Sequence, residues 1–144
     1  MRIKLSIVIP VYNEAQTIRQ TIMDLLEVMK KTIYSMELII VDDGSTDETV
    51  DTVARTGAMV IRHPKNMGYG KAIKTGIAHA THETLAILDA DGTYEAKDIL
   101  KLLEYSKDYD MVVGTRQNIH LFDSFLKLIS RKIYLGLISY VTGI

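Results

Sequence analysis

Residues 85–94 read Leu85-Ala86-Ile87-Leu88-Asp89-Ala90-Asp91-Gly92-Thr93-Tyr94. An unbroken apolar run of strand length passes straight into two carboxylates and a glycine. Such a run, bounded by turn residues, predicts a strand buried on both faces, as in a parallel sheet. The same pattern occurs upstream. Leu5 to Ile9 is rich in β-branched residues and is expected to stop at Pro10, and Leu38 to Val41 runs into Asp42-Asp43-Gly44. Ala58 to Ile61 and Met111 to Val113 are shorter runs of the same kind.

Helical patterns fill the intervals. Ile18, Ile22, Leu25, Leu26 and Met29 fall on one helical face, with Asn13 as N-cap and Gln16 as its capping-box partner. Ser45 with Glu48 forms a second capping box, and Gly57 closes that helix. Lys71 to Thr81 and the stretch around Ile99, Leu100, Leu102 and Leu103 also read as helices. Strands alternating with helices imply βαβ units, hence an α/β fold with a mostly parallel sheet and helices on both faces. Ligands of such sheets bind beyond the carboxyl ends of the strands. Glu14, Asp42, Asp43, Asp89 and Asp91 all fall there.

Composition narrows the function classes. A length of 144 residues suits one domain, and 47% apolar with 24% charged residues is an ordinary folded mix. A net charge of -1 gives no general attraction to nucleic acid. The absence of cysteine excludes disulfides and thiolate metal sites and fits a reducing, cytoplasmic compartment. No apolar run reaches the length of a signal peptide or of a membrane span of about 18 residues. Residues 1–118 are expected to form the site-bearing domain and 119–144 an apolar helix. In that helix Lys127, Arg131 and Lys132 interrupt the run from Leu121 to Val141. It either packs on the domain or on a second copy of the chain, or lies at a membrane surface with its basic residues toward headgroups.

The acidic turns have specific chemistry available. Hard divalent cations take carboxylate and phosphate oxygens together, so Asp89-Ala90-Asp91 suits Mg²⁺ or Mn²⁺ bound with a diphosphate. The blander alternative is that the pair caps a turn. Asp42 and Asp43 can accept from a nucleobase or ribose, or shape the Asp-Gly turn. In Pro10-Val11-Tyr12-Asn13-Glu14, Tyr12 offers a stacking face and Glu14 an acceptor, unless these residues only begin the helix. Asn66-Met67-Gly68-Tyr69-Gly70-Lys71 is no dinucleotide fingerprint, because Ile73 stands where the third glycine belongs. It is no Walker loop either, with Lys65 in place of glycine and Ala72 in place of Ser or Thr. Lys65 and Lys71 near a helix start can meet phosphate or ribose, or simply flank a loop. Arg116 can reach a diphosphate or sit in a surface ion pair. The four histidines lack metal-ligand spacing, and His79 and His82 read as a solvated helix end.

Together these motifs resemble the inverting family-two glycosyltransferases, above all the polyprenyl-phosphate (dolichyl-phosphate) mannosyl- and glucosyltransferases. The segments that carry the resemblance are Ser6 to Glu14, Val41 to Asp47, Asn66 to Ala72, Leu88 to Tyr94 and Val113 to Arg116. Their order is as specific as any one of them is common. The resemblance implies a glycosyltransferase-A fold and a UDP- or GDP-linked sugar donor. It implies Pro10, Tyr12, Glu14, Asp43, Lys71, Asp89 and Ala90 as nucleotide-binding positions. Asp89, Asp91 and Arg116 would be catalytic, with Asp91 on the metal. Thr93 departs from relatives that carry glutamine there as a further metal ligand. It also implies a lipid-phosphate acceptor, a place at the cytoplasmic membrane face, and an acceptor-side stretch beyond Tyr140-Val141-Thr142-Gly143. That stretch is not in this sequence, so a truncated chain is expected, one that binds donor but transfers poorly. An anionic phosphate acceptor needs no general base, whereas a sugar hydroxyl would need a carboxylate. The alternatives are a nucleotidyltransferase, which ordinarily has a glycine-rich loop where Pro10 to Glu14 has no glycine, and a non-catalytic nucleotide-binding module.

Overall fold

A computed structural model of the chain describes residues 4–115. The elements run β1 (Lys4–Val11), α1 (Ile18–Lys30), β2 (Ser35–Asp42), α2 (Thr49–Ala54), β3 (Met59–Arg62), α3 (Tyr69–His79), β4 (Thr84–Ile87) and α4 (Asp98–Tyr105). All pairings are parallel, and the strand order is β3-β2-β1-β4. The chain therefore steps outward from β1 to β3, then crosses back to place β4 on the other side of β1. Right-handed crossovers in opposite directions put their helices on opposite faces. The packing agrees. Leu5, Ile7, Ile9, Val11 and Ile40 share one core with Ile18, Ile22, Leu25 and Met29 of α1, Val53 of α2 and Ile99 and Leu103 of α4. Val8, Ile39 and Val41 meet Ala72 of α3 on the reverse face. Odd and even residues of β1 thus serve different helices, as strand alternation requires.

α3 lies very close to the sheet. A Cβ added at Gly76 would stand 2.3 Å from Val8 Cγ1, and Ala72 is fully buried beside it. Only residues this small allow that approach.

Four expectations need correction. β1 does not stop at Pro10 but continues to Val11, with Pro10 in register with Val41. In a parallel ladder one residue directs both its N–H and C=O to the same neighbour, and successive residues alternate sides. Val8 C=O accepts from Leu88 N–H on the β4 side, and Val11 C=O accepts from Asp43 N–H on the β2 side. Pro10 therefore faces β4, where its missing N–H ends the β1–β4 ladder without disturbing β2. Second, residues 111–115 form no strand, and Met111 and Val113 are exposed. Among the described residues nothing pairs with these three apolar residues. Third, β4 is not buried on both faces: Leu85 and Ile87 are open on one of them, as befits an edge of the described sheet. Fourth, neither capping box forms: Thr17 and Glu48 occupy the N-cap positions of α1 and α2. The expected helix at 119–144 lies outside the described residues.

Candidate functional site

The carboxyl ends of the four strands carry loops that are sewn together by side chains. Asn13 has φ 56°, a conformation asparagine tolerates better than most residues. Its N–H donates to Ser45 Oγ (2.9 Å), and its Oδ1 accepts from Thr46 N–H (2.9 Å). Glu14 N–H donates to Thr49 Oγ1 (2.9 Å). The polar residues that read as helix caps instead join the loop after β1 to the loop after β2, because orphan backbone groups across the gap offer equally good partners. The Glu14 carboxylate accepts from Thr17 Oγ1 at 2.7 Å, and the Tyr12 ring is 44% exposed above the same loop.

The two adjacent aspartates divide their work. Asp42 Oδ1 accepts from Ser45 N–H (3.2 Å) and shapes the turn. Its Oδ2 lies 3.2 Å from Arg62 Nε, but it is buried without a well-aligned hydrogen bond, so the contact is one of charge. Asp43 is turned toward the loop at 63–68. Oδ1 accepts from His63 Nδ1 (2.7 Å) and Met67 N–H (2.9 Å), and Oδ2 from Gly68 N–H (2.8 Å). Burial pushes the Asp43 carboxyl up, but the hydrogen bonds from His63, Met67 and Gly68 outweigh it and hold the group below its ordinary value of 3.8. A depressed native pKa contributes stability that is complete above the unfolded value and disappears as pH falls through the native one. We expect the urea midpoint to fall as acid is added below pH 3.8, and Asp43→Asn to flatten that part of the profile. An unchanged slope in the variant would assign the acid transition to other carboxylates.

The third cluster follows β4. Ala90 is buried and its carbonyl accepts from Thr21 Oγ1 of α1 (3.3 Å), while Gly92 turns the chain at φ 68°. Asp91 Oδ1 accepts from Thr93 N–H (3.0 Å) and Thr93 Oγ1 (2.6 Å). Asp89 Oδ1 accepts from the Tyr69 hydroxyl (2.7 Å). Burial and the bond to Asp89 push the Tyr69 phenol up to about 12, so it remains a proton donor throughout the neutral range. Tyr69 opens α3 immediately after Gly68, so the Asp43-bound loop and the Asp89 turn are coupled through one residue.

Asp43, the 66–68 loop with Tyr69 at the start of α3, Asp89, Ala90 and Asp91 are thus brought together in one connected arrangement, with Pro10, Tyr12 and Glu14 at and just beyond the end of the adjoining β1. Lys71 lies exposed in the first turn of α3. Arg116 lies outside the described residues. Sequence reasoning passed over His63 and Tyr69. The available signal for His63 was a polar residue between the end of an apolar strand and Pro64.

The site chemistry fits a divalent ion only in company. Asp91 is exposed and supplies hard oxygen, yet among the described residues no group of three or more His, Cys, Asp and Glu could hold a metal. Mg²⁺ and Mn²⁺ sites that combine one or two carboxylates with substrate phosphates are of this kind.

A parallel sheet with acidic loops at its carboxyl edge, split at the point where strand order reverses, is the arrangement that the glycosyltransferase-A fold shares with other doubly wound α/β sheets. The chain belongs to glycosyl transferase family 2, whose model matches residues 6–139. It is similar to the undecaprenyl-phosphate 4-deoxy-4-formamido-L-arabinose transferase of Sodalis glossinidius, at 31% identity over 97% of this chain and 44% of that protein. The chain thus spans less than half of that relative's length. Among solved structures it is similar to a mannosyltransferase from Pyrobaculum calidifontis in complex with GDP-Man and Mn²⁺. The TM-score is 0.57 and the identity 30%, over 69% of this chain and 31% of that one. Glucosyl-3-phosphoglycerate synthase from Mycobacterium tuberculosis shares the fold, with TM-score 0.60 at 23% identity over 72% of this chain and 39% of that one.

Proposed function

We propose that this chain is the donor-binding part of a metal-dependent, inverting glycosyltransferase. The whole protein would take a sugar from a UDP- or GDP-linked donor and pass it to a polyprenyl phosphate at the cytoplasmic membrane face. The observation that carries this reading is the convergence of Asp43, the 66–68 loop with Tyr69, Asp89 and Asp91 on one sheet edge, in a fold shared with a GDP-Man and Mn²⁺ complex. Asp43 and the residues from Pro10 to Glu14 hold the nucleoside, with Tyr12 stacking on the base. Asp89 and Lys71 take the ribose and phosphate side, and Asp91 holds the ion. An Mg²⁺ or Mn²⁺ ion held by Asp91 would supply positive charge to neutralise the departing diphosphate. The remaining catalysis is positioning of donor and acceptor, with Arg116 on phosphate, and an acceptor already anionic requires no base. The lipid acceptor is supported by the name of the undecaprenyl-phosphate relative. No helix among the described residues is long and apolar enough to cross a membrane, which is compatible with peripheral attachment.

Calorimetric titration with UDP-glucose and GDP-mannose tests the donor site. Binding is expected with Mn²⁺ and is expected to be lost with chelator. Mn²⁺ alone is expected to bind weakly, since the described residues offer too few ligands without the diphosphate. Strong Mn²⁺ binding without nucleotide, or nucleotide binding indifferent to chelator, would count against the arrangement.

A further inference from the structure

Among the described residues, His63 is a buried polar side chain bonded through both ring nitrogens that the proposed chemistry does not use. It is 7% exposed and directly follows Arg62, the last residue of β3. Its backbone N–H donates to Asp42 C=O at 2.8 Å. Its ring spans two elements: Nδ1 lies 2.7 Å from Asp43 Oδ1, and Nε2 lies 3.0 Å from Thr75 Oγ1 on α3. A neutral imidazole protonated on Nδ1 satisfies every atom of this chain, donating to the carboxylate and accepting from the threonine hydroxyl.

The consequence lies in what is left of Asp43. A carboxylate has about four lone-pair positions. His63 and Met67 N–H take two on Oδ1, and Gly68 N–H takes one on Oδ2. One acceptor position remains, on Oδ2, and its direction is fixed by the three donors already seated. Of these, His63 is the one anchored at its far end to the helix that begins with Tyr69.

We infer that His63 is a positioning residue for the nucleotide: clamped by Thr75, it aims the remaining acceptor of Asp43 and fixes the 66–68 loop beside it. This rests on the donor-site reading given above. It differs from a purely structural role in what binding should report. A packing residue changes how much of the protein is folded. A positioning residue changes the affinity of molecules that are folded.

Calorimetry separates the two, because stoichiometry reports the competent fraction and Kd its affinity. The chain is titrated with GDP-mannose or UDP-glucose in Mn²⁺, whichever the unaltered chain binds more tightly. His63→Phe removes both ring bonds and is expected to raise Kd by about tenfold at unchanged stoichiometry. His63→Gln keeps a donor for Asp43 and should recover most of the loss. Thr75→Val removes only the far anchor, alters little volume, and should raise Kd by about threefold; it carries the test should His63→Phe not fold. Variants that lower stoichiometry or melting temperature but keep the original Kd would overturn the positioning role. Absence of binding by the unaltered chain would instead overturn the donor-site reading, and this inference with it.

Discussion

Asp91→Ala is expected to abolish Mn²⁺-dependent binding of the nucleotide sugar, with apparent metal affinity falling by at least about 100-fold. Loss of a partner that merely orients a metal ligand already costs 10–100-fold, and the proposed ligand itself should cost no less. The loop is built to hold this one side chain. Ala90 anchors it in the core, Gly92 turns it, and Thr93 grips Asp91 Oδ1 through both its N–H and its hydroxyl. Asp91→Asn retains the shape and loses the charge, so it should show nearly the same defect. Asp89→Asn should be milder in metal dependence, because Asp89 Oδ1 faces the Tyr69 hydroxyl. The check is calorimetry with and without chelator for all three variants. Retention of metal-dependent affinity in Asp91→Ala would move the ion elsewhere.

Gly44→Ala is expected to destabilise the fold by about 2–5 kcal/mol, the sum of left-handed strain and overpacking. Gly44 sits at φ +77°, and an added Cβ would fall 2.4 Å from the Lys65 carbonyl carbon and 2.7 Å from Asn66 N. Those neighbours are backbone, so no rotamer change relieves the clash. Relief requires the Gly44 turn and the 63–68 loop to move apart, which strains the three hydrogen bonds that the loop makes to Asp43. Urea unfolding should show the loss of stability. Nucleotide affinity should weaken in the fraction that still folds. A change below about 1 kcal/mol would mean the loop can withdraw freely, and the close approach would then be incidental.

How much of this was legible in the sequence depends on the distance over which a residue acts. The strands and helices are set by local pattern, so Leu5, Ile7 and Ile9 against Ile18, Ile22, Leu25 and Met29 could be read directly, and so could the parallel sheet. The five motifs gave the family, which the match over residues 6–139 bears out. The misreadings came where a polar residue had two possible partners. Asn13 and Ser45 satisfy local cap patterns, but the bonds here run between segments more than 30 positions apart, as from Asn13 N–H to Ser45 and from Glu14 N–H to Thr49. Asp43 was read as a ligand contact, and the structure adds that the same carboxylate holds His63, Met67 and Gly68. Nothing in a linear pattern says that the end of β3 folds back onto the end of β2. Met111 to Val113 failed for the opposite reason: its pattern was adequate, but a strand exists only when something pairs with it.

Pro10 gives the crevice a permanence that side-chain packing could not. Two adjacent parallel strands that both continue will tend to zip, each new rung favouring the next. Val8 to Leu88 is the last rung here, because the following donor is absent from the covalent structure. The gap between the strands is therefore not a balance of forces that a warmer solution, a neighbouring mutation or an empty site could tip toward closure. It is a missing tooth in the zipper. The opening stands whether or not a ligand fills it, so binding need not first prise the strands apart.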